Sequence, residues 1–336
     1  MRGELSHGLP ELVTSGNRIL RADSMQPVLL RGVNRSGLEY TEPSDEGFLA
    51  AAQFTEEEVR QIVSKWRSNV VRLPFNQAWA LYGRHGHGAE EYLGCMDLVI
   101  SWCASLGAYT ILDLQWLDAE TVYGHTEAPD HTKADNHVPP TPNADTILLW
   151  NTLAARYRDE PAVLFDILNE PHDRLEDDVL PIHVIDPDGD VVESDSSRVG
   201  PAQWVPWATR LVTEVRKIRP NGIVVVGGVD WAFDLRGIQV NAANIVYSAH
   251  IYSNRNPDDW WKAIGNSAEI PVFVGEWGGT EDQLAFGRTL ADLMRQQGLG
   301  WTAWSWVDYP PLVQAPRSPN YQPTPFGELV RNELLE

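Results

Sequence analysis

The sequence predicts a (β/α)8 TIM barrel, a parallel eight-stranded sheet closed on itself and wrapped by helices. Three observations predict it. Eight short apolar, β-branched runs are spread along the chain, helical patterns alternate with them, and several of the runs end in a polar or ionisable residue. Strict alternation implies parallel strands, and eight repeats imply closure, with a doubly wound open sheet as the alternative. One barrel accounts for all 336 residues and nothing in the middle reads as a linker, so residues 1–336 are expected to form a single domain.

The elements follow in order. Leu12 to Asp23 reads as a short hairpin turning at Ser15-Gly16-Asn17, a plug for the bottom of the barrel. The eight runs are Val28 to Asn34, Val70 to Phe75, Tyr109 to Trp116, Val163 to Glu170, Ile223 to Val229, Ile245 to Tyr252, Val272 to Trp277 and Gly300 to Trp306. Helical patterns occupy Thr55 to Trp66, Tyr92 to Leu106, Ala144 to Arg158, Trp204 to Ile218, Asp258 to Ala268 and Asp282 to Gln297, and a fifth helix after Asp230 is weakly marked. Thr55 followed by Glu58 reads as a capping box. Two connections are enlarged: the acidic, turn-rich Asp173 to Gln203 after the fourth strand, and the Pro-rich Tyr309 to Pro325 after the eighth. Both are expected at the rim of the face formed by the strand C-termini.

Composition narrows the partners. A formal charge of −21 and a pI near 4.7 repel phosphate backbones and anionic lipid, so no nucleic acid and no membrane is expected, whereas a neutral polysaccharide or oligosaccharide fits. No apolar segment approaches the ~18 residues that cross a bilayer. Cys95 and Cys103 lie eight apart in a helical pattern, ~12 Å along its axis, beyond disulfide reach, and two free buried thiols are expected. The start, MRGELSHGLPEL, lacks a signal-peptide core; the expectation is a secreted monomer whose leader is not in this chain. No cofactor and no metal is expected. His85 and His87 form a metal-like pair, but they sit in a Gly-rich loop with no ordered His/Asp set on later strands.

Chemistry gathers at the strand ends. VLFDILNEPH delivers Asn169 and Glu170, PVFVGEWGG delivers Glu276 and Trp277, and the other strands offer Arg72, Gln115, Trp116, His250, Tyr252, Trp304 and Trp306. Converging on one face, these residues exceed what a structural role needs. Two carboxyls at that end suit glycosidic cleavage, where one group protonates the leaving oxygen and the other attacks the anomeric carbon. Arg72 and Tyr252 can hold Glu276 anionic, while the neighbouring negative charge keeps Glu170 protonated. Asn169 can bond the sugar 2-hydroxyl, and Trp306 offers a flat face to a sugar ring. Trp79, Trp116, Trp231 and Trp277, which follow or end strands, are expected to line an open aromatic cleft.

The ordered strings LRGVN…EY, NVVRLPFNQ, ILDLQW, LNEPH, HIY, GEWGG and WTAWSW resemble glycoside hydrolase family 5 over roughly residues 12 to 330. The resemblance implies Glu170 as acid/base on strand four and Glu276 as nucleophile on strand seven, supported by Arg72, Asn169, His250, Tyr252 and Trp306. GVNRSGLEY and WSW look most similar to β-1,4-glucan endoglucanases, which implies a retaining enzyme cutting internal β-1,4 bonds of cellulose or a related β-glucan. β-Mannanase, xyloglucanase and exo-acting β-glucosidase are alternatives in the same family; a non-catalytic carbohydrate-binding barrel is the alternative of another class. One departure is Gln115, where the family usually has His: an amide keeps a hydrogen bond to sugar but carries neither proton nor charge.

Overall fold

The computed structural model describes residues 8–117, 141–173, 184–185, 191–192, 199–317 and 319–336. Strands β1 (Leu12–Ser15) and β2 (Arg18–Arg21) pair antiparallel as the expected hairpin. The barrel strands are β3 (Arg31–Asn34), β4 (Val70–Asn76), β5 (Tyr109–Trp116) and β6 (Val163–Asp166), then β9 (Val224–Gly227), β10 (Ile245–His250), β11 (Val272–Trp277) and β12 (Gly300–Ala303). They form a closed parallel barrel in sequence order, β12 pairing with β3. Between β6 and β9, the two-residue strands β7 (Val184–Ile185) and β8 (Val191–Val192) pair antiparallel inside the acidic insertion. The remainder of that insertion, 174–183, 186–190 and 193–198, lies outside the described residues.

Period-two alternation sorts the strand residues between two cores. Val70, Tyr109, Ile111, Leu164, Val225, Val246 and Phe273 fill the barrel interior, where Leu12 and Ile19 of the hairpin close its lower end. Tyr109 anchors that plug by donating its hydroxyl to Pro10 O at 2.8 Å. The alternate residues Val71, Leu73, Leu112, Phe165, Val224 and Val274 face the helices. Above the inner apolar floor the same inward register carries Arg72, Asp113 and Asp166, all buried.

Two register shifts re-aim residues at the barrel's upper end. Ala249 opposes Val274 while His250 opposes Glu276, and on the other side Val274 opposes Trp301 while Trp277 opposes Ala303. Strand β11 therefore holds one extra residue at Gly275-Glu276, a bulge that turns Glu276 inward and Trp277 out against Trp301 and Phe326. A similar shift pairs Phe75 with Leu114 but Asn76 with Trp116, leaving Gln115 as the extra residue of β5.

Among the described residues, three helices that the sequence reading did not name are present, Phe48–Ala51, Gln77–Tyr82 and Pro325–Leu335, and the expected ones need three corrections. The weak helix after Asp230 does not form; 230–244 runs as turns and bends, with positive φ at Asp230, Trp231 and Ala232. The segment expected from Asp258 to Ala268 shortens to a 3-10 turn, Pro257–Asp259, and one helical turn, Trp261–Ile264. The capping box at Thr55 is half made: Thr55 accepts from Glu58 N at 3.2 Å, but the Glu58 side chain is spent elsewhere. It receives Arg35 Nε at 2.7 Å and Trp306 Nε1 at 3.1 Å. Sequence spacing reports that a carboxylate can reach back, and a buried cation competes for it and wins. Both cysteines are free and buried, as expected.

Because Arg35 and Glu58 are both fully buried, Glu58→Gln should leave a charge without its counter-ion and cost about 3–5 kcal/mol. Denaturant unfolding checks this; a loss under about 1 kcal/mol, the scale of a surface pair, would contradict it.

Candidate active site

Arg72 enters the site from the inward register of β4, with its side chain fully buried. Its Nε donates to Asp166 Oδ2 at 3.0 Å, Nη1 to Asn34 Oδ1 at 2.9 Å and Glu276 Oε1 at 2.8 Å, and Nη2 to Asn169 Oδ1 at 2.8 Å. Asp113 Oδ1 lies 2.9 Å from Nη2. Burial opposes its charge, but Asp113, Asp166 and Glu276 together hold the guanidinium protonated.

The bulge delivers Glu276 beside this cation, and Tyr252 Oη donates to its other oxygen, Oε2, at 2.7 Å. Glu170, four residues past the end of β6, has His250 Nδ1 at 2.7 Å from its Oε1. One ligand-type atom each from Glu170, His250 and Glu276 lies within 4.8 Å of the others. Gly275 makes the approach possible: a Cβ there would sit 2.3 Å from Ser248 Oγ and 2.8 Å from His250 Nε2.

Environment separates the two carboxyls. Burial pushes Glu170 up to about 7, against weaker pulls from Arg72 and Arg255. Burial also raises Glu276, and the charge of Glu170 adds to it, but here His250, Arg72 and the Tyr252 hydrogen bond oppose the rise. The expected cause for Glu170 is thereby corrected: loss of water, more than a neighbouring charge, keeps its proton on. His250 is driven down to about 3, chiefly by burial, and stays a neutral imidazole. Asn169 presents an Nδ2 that is buried and unpartnered among the described residues, as is Gln115 Oε1.

Thus Arg72, Gln115, Asn169, Glu170, His250, Tyr252 and Glu276 reach the same end of the barrel. The aromatics divide. Trp116 is half-buried, with its ring centroid 6.2 Å from that of the exposed Tyr40. Trp231 is half-buried and stacks on His172 at 3.7 Å, beside Glu170. Trp306 is a correction: it is 0% exposed, bonds Glu58 and packs edge-on to Trp66 at 4.7 Å, so it has no face for a sugar. Trp79 and Trp277 are corrected likewise, at 3% and 0% exposure in the layer between strands and helices. Trp304, whose N–H donates to Trp277 O, is the less buried Trp of WSW. His85 and His87 do not converge; they face Glu42 and Glu91 separately.

Sequence reasoning passed over Asn34, Asp113, Asp166, Gly275 and Tyr40. Asp113 and Asp166 carried a signal, since a carboxylate in the middle of an apolar strand run, at the same inward register as Arg72, marks a buried counter-charge.

A family model described as cellulase, glycosyl hydrolase family 5, matches residues 23–310. The chain belongs to glycosyl hydrolase family 5. Among its family 5 relatives, endoglucanase E-5 of Thermobifida fusca is 23% identical over 300 residues, 84% of this chain and 53% of that protein. Endoglucanase A of Evansella cellulosilytica is 24% identical, covering 92% and 57%. The chain spans about half the length of the curated relatives it matches. In fold it is similar to the catalytic domain of T. fusca endoglucanase Cel5A, with TM-score 0.67, 20% identity and 99% and 100% of the two chains covered. It is also similar to a beta-glucanase of Saccharophagus degradans solved in complex with cellotetraose, with TM-score 0.69, 21% identity and 97% and 93% covered.

A carboxyl-resolved NMR titration with 13C-labelled glutamate should show a group with its midpoint near 7 that is missing from Glu170→Gln. A Glu170 midpoint in the ordinary carboxylate range would contradict the burial account.

Proposed function

We propose that this chain is a retaining glycoside hydrolase that cuts internal β-1,4-glucosidic bonds of cellulose or a related neutral β-glucan. One observation carries the reading: a partly buried carboxyl and a buried one whose oxygens approach within 4.8 Å, only the buried one tied to a guanidinium. Retention needs carboxyls ~5–5.5 Å apart, whereas inversion spaces them by ~6.5–9.5 Å to admit a water.

Glu276, held by Arg72 and Tyr252, attacks the anomeric carbon as Glu170 gives its proton to the departing glycosidic oxygen. Glu170 then takes a proton from water, which displaces Glu276 from the glycosyl-enzyme. Asn169 Nδ2, free to donate because its Oδ1 is occupied by Arg72, meets the sugar 2-hydroxyl as positive charge builds on the ring. Neutral His250 orients Glu170 without adding a charge that would ionise it.

Several features favour a polymer. Trp116 and Tyr40 offer an aromatic ledge. Tyr40 also lines a cavity of about 930 Å³ together with Thr41, Gln53, Gln314, Arg317 and Tyr321, a cavity that neither Glu170 nor Glu276 lines. The endoglucanase names of the relatives and the cellotetraose complex of the S. degradans enzyme point to the same substrate class. A polymer of this kind is met outside the cell, which favours a secreted enzyme.

Carboxymethylcellulose or mixed-linkage glucan should lose viscosity early in digestion, and cleavage of mannan or short aryl glucosides alone would contradict the endoglucanase reading. Glu170→Ala should lose most activity on glucan but still form the glycosyl-enzyme from an aryl cellobioside with an acidic phenol, and azide should return the β-glycosyl azide. With Glu276→Ala both substrates should stall, and azide should return the α product. The exchanged pattern would reverse the two roles. In the wild type, kcat/KM should fall as pH rises through about 7, where Glu170 loses its proton.

A further inference from the structure

One guanidinium, Arg72, faces three buried carboxyls: Asp113 at 2.9 Å, Asp166 at 3.0 Å and Glu276 at 2.8 Å, with side-chain exposures of 0%, 2% and 5%. Among the described residues, the neighbouring elements supply no further cation to this group. Asn34 and Asn169 are neutral, His250 and Tyr252 are held neutral by burial, and Glu170 and Glu39 add only carboxyls. Arg35 is paired with Glu58 and Arg255 with Asp230. Ionising all three partners of Arg72 would leave two uncompensated negative charges in the barrel interior.

Hydrogen bonding singles out which carboxyls keep the proton. Glu276 accepts from Arg72 and Tyr252, and Asp166 Oδ2 accepts from Arg72 Nε. Neither oxygen of Asp113 accepts a hydrogen bond among the described residues, although Arg72 Nη2 lies 2.9 Å from Oδ1; Asp166 Oδ1 is also without one. Asp113 and Asp166 are direct register partners on β5 and β6 and share the inward face. A proton between them turns one orphaned acceptor into a donor for the other.

We propose that Asp113 and Asp166 share one buried proton at neutral pH, a pair carrying a single negative charge that leaves the rest of the Arg72 charge to Glu276. Burial acts in that direction on both, against the pull of Arg72, with repulsion from Asp166 adding at Asp113 and from Glu276 at Asp166: Asp113 is pushed well up, and Asp166 to about 6. Asp113 is then a positioning residue, acting on the nucleophile through Arg72. This rests on reading Glu276 as the nucleophile, but the proton itself is testable without activity.

Infrared spectra of protein labelled with 13C-aspartate should contain, at pH 7, a protonated-carboxyl band that moves with the label and disappears in Asp113→Asn. Aspartate labelling separates it from Glu170 and Glu39. Absence of such a band in the wild type overturns the proposal, even if the variant fails to fold. Enzymatically, Asp113→Asn exchanges a neutral acid for a neutral amide, and the acidic limb of kcat/KM should move by less than about half a pH unit. Asp166→Asn leaves Asp113 as the pair's single carboxyl beside Arg72, free of the repulsion from Asp166, where it ionises in turn, so the limb should again move by less than about half a unit. A downward shift of about one unit in either variant would mean that both aspartates were ionised, which also overturns the proposal. If no substrate is turned over, the proposed function fails while the infrared result still decides the proton.

Discussion

The buried guanidinium of Arg72 is the constraint around which the upper end of the barrel is arranged. A cation taken out of water is tolerated only when its donors are matched, and Arg72 meets Asp166, Asn34, Glu276 and Asn169 from three other strands and their ends. Because its planar fork has a fixed geometry, matching it also fixes where those strands stand relative to β4. Asn34 carries the constraint onward by donating to Gly275 O at 3.0 Å, directly beside the bulge that presents Glu276. The same contact that stabilises a buried charge thereby sets the aim of the carboxylate proposed as nucleophile.

The two glutamates are chemically identical, and their surroundings divide them. Glu276 has a cation and a phenol; Glu170 has a neutral imidazole and little water. The difference is built from backbone features as much as side chains. The extra residue in β11 turns Glu276 inward, and the missing Cβ of Gly275 admits His250 and Ser248. A regular β11 would send Glu276 toward the helices and Trp277 toward the barrel interior.

That contrast explains what was legible in the sequence. Apolar runs ending in Asn169, Glu170, His250 and Glu276, and the Arg72 set within another, could be read because buried parallel strands leave little choice of composition, so a polar residue stands out. The faces of the tryptophans could not be read. Trp277 and Glu276 are adjacent, and only the bulge decides which points inward; Trp304 and Trp306 are two apart, and only Glu58 and Trp66 show that the second is core. The Thr55 and Glu58 spacing was true of the backbone hydrogen bond but silent about Arg35, a long-range competitor. Asp113 and Asp166 were visible as letters, yet their meaning depended on knowing that β4, β5 and β6 lie side by side.

The claim that Arg72 and Tyr252 make Glu276 the nucleophile is tested most directly by covalent trapping. A 2-deoxy-2-fluoro cellobioside with a good leaving group slows breakdown of the glycosyl-enzyme, so the intact mass should rise by one fluorinated cellobiosyl unit and peptide mapping should place it on Glu276. A label on Glu170 would contradict the account, as would an unlabelled enzyme that releases product of inverted configuration.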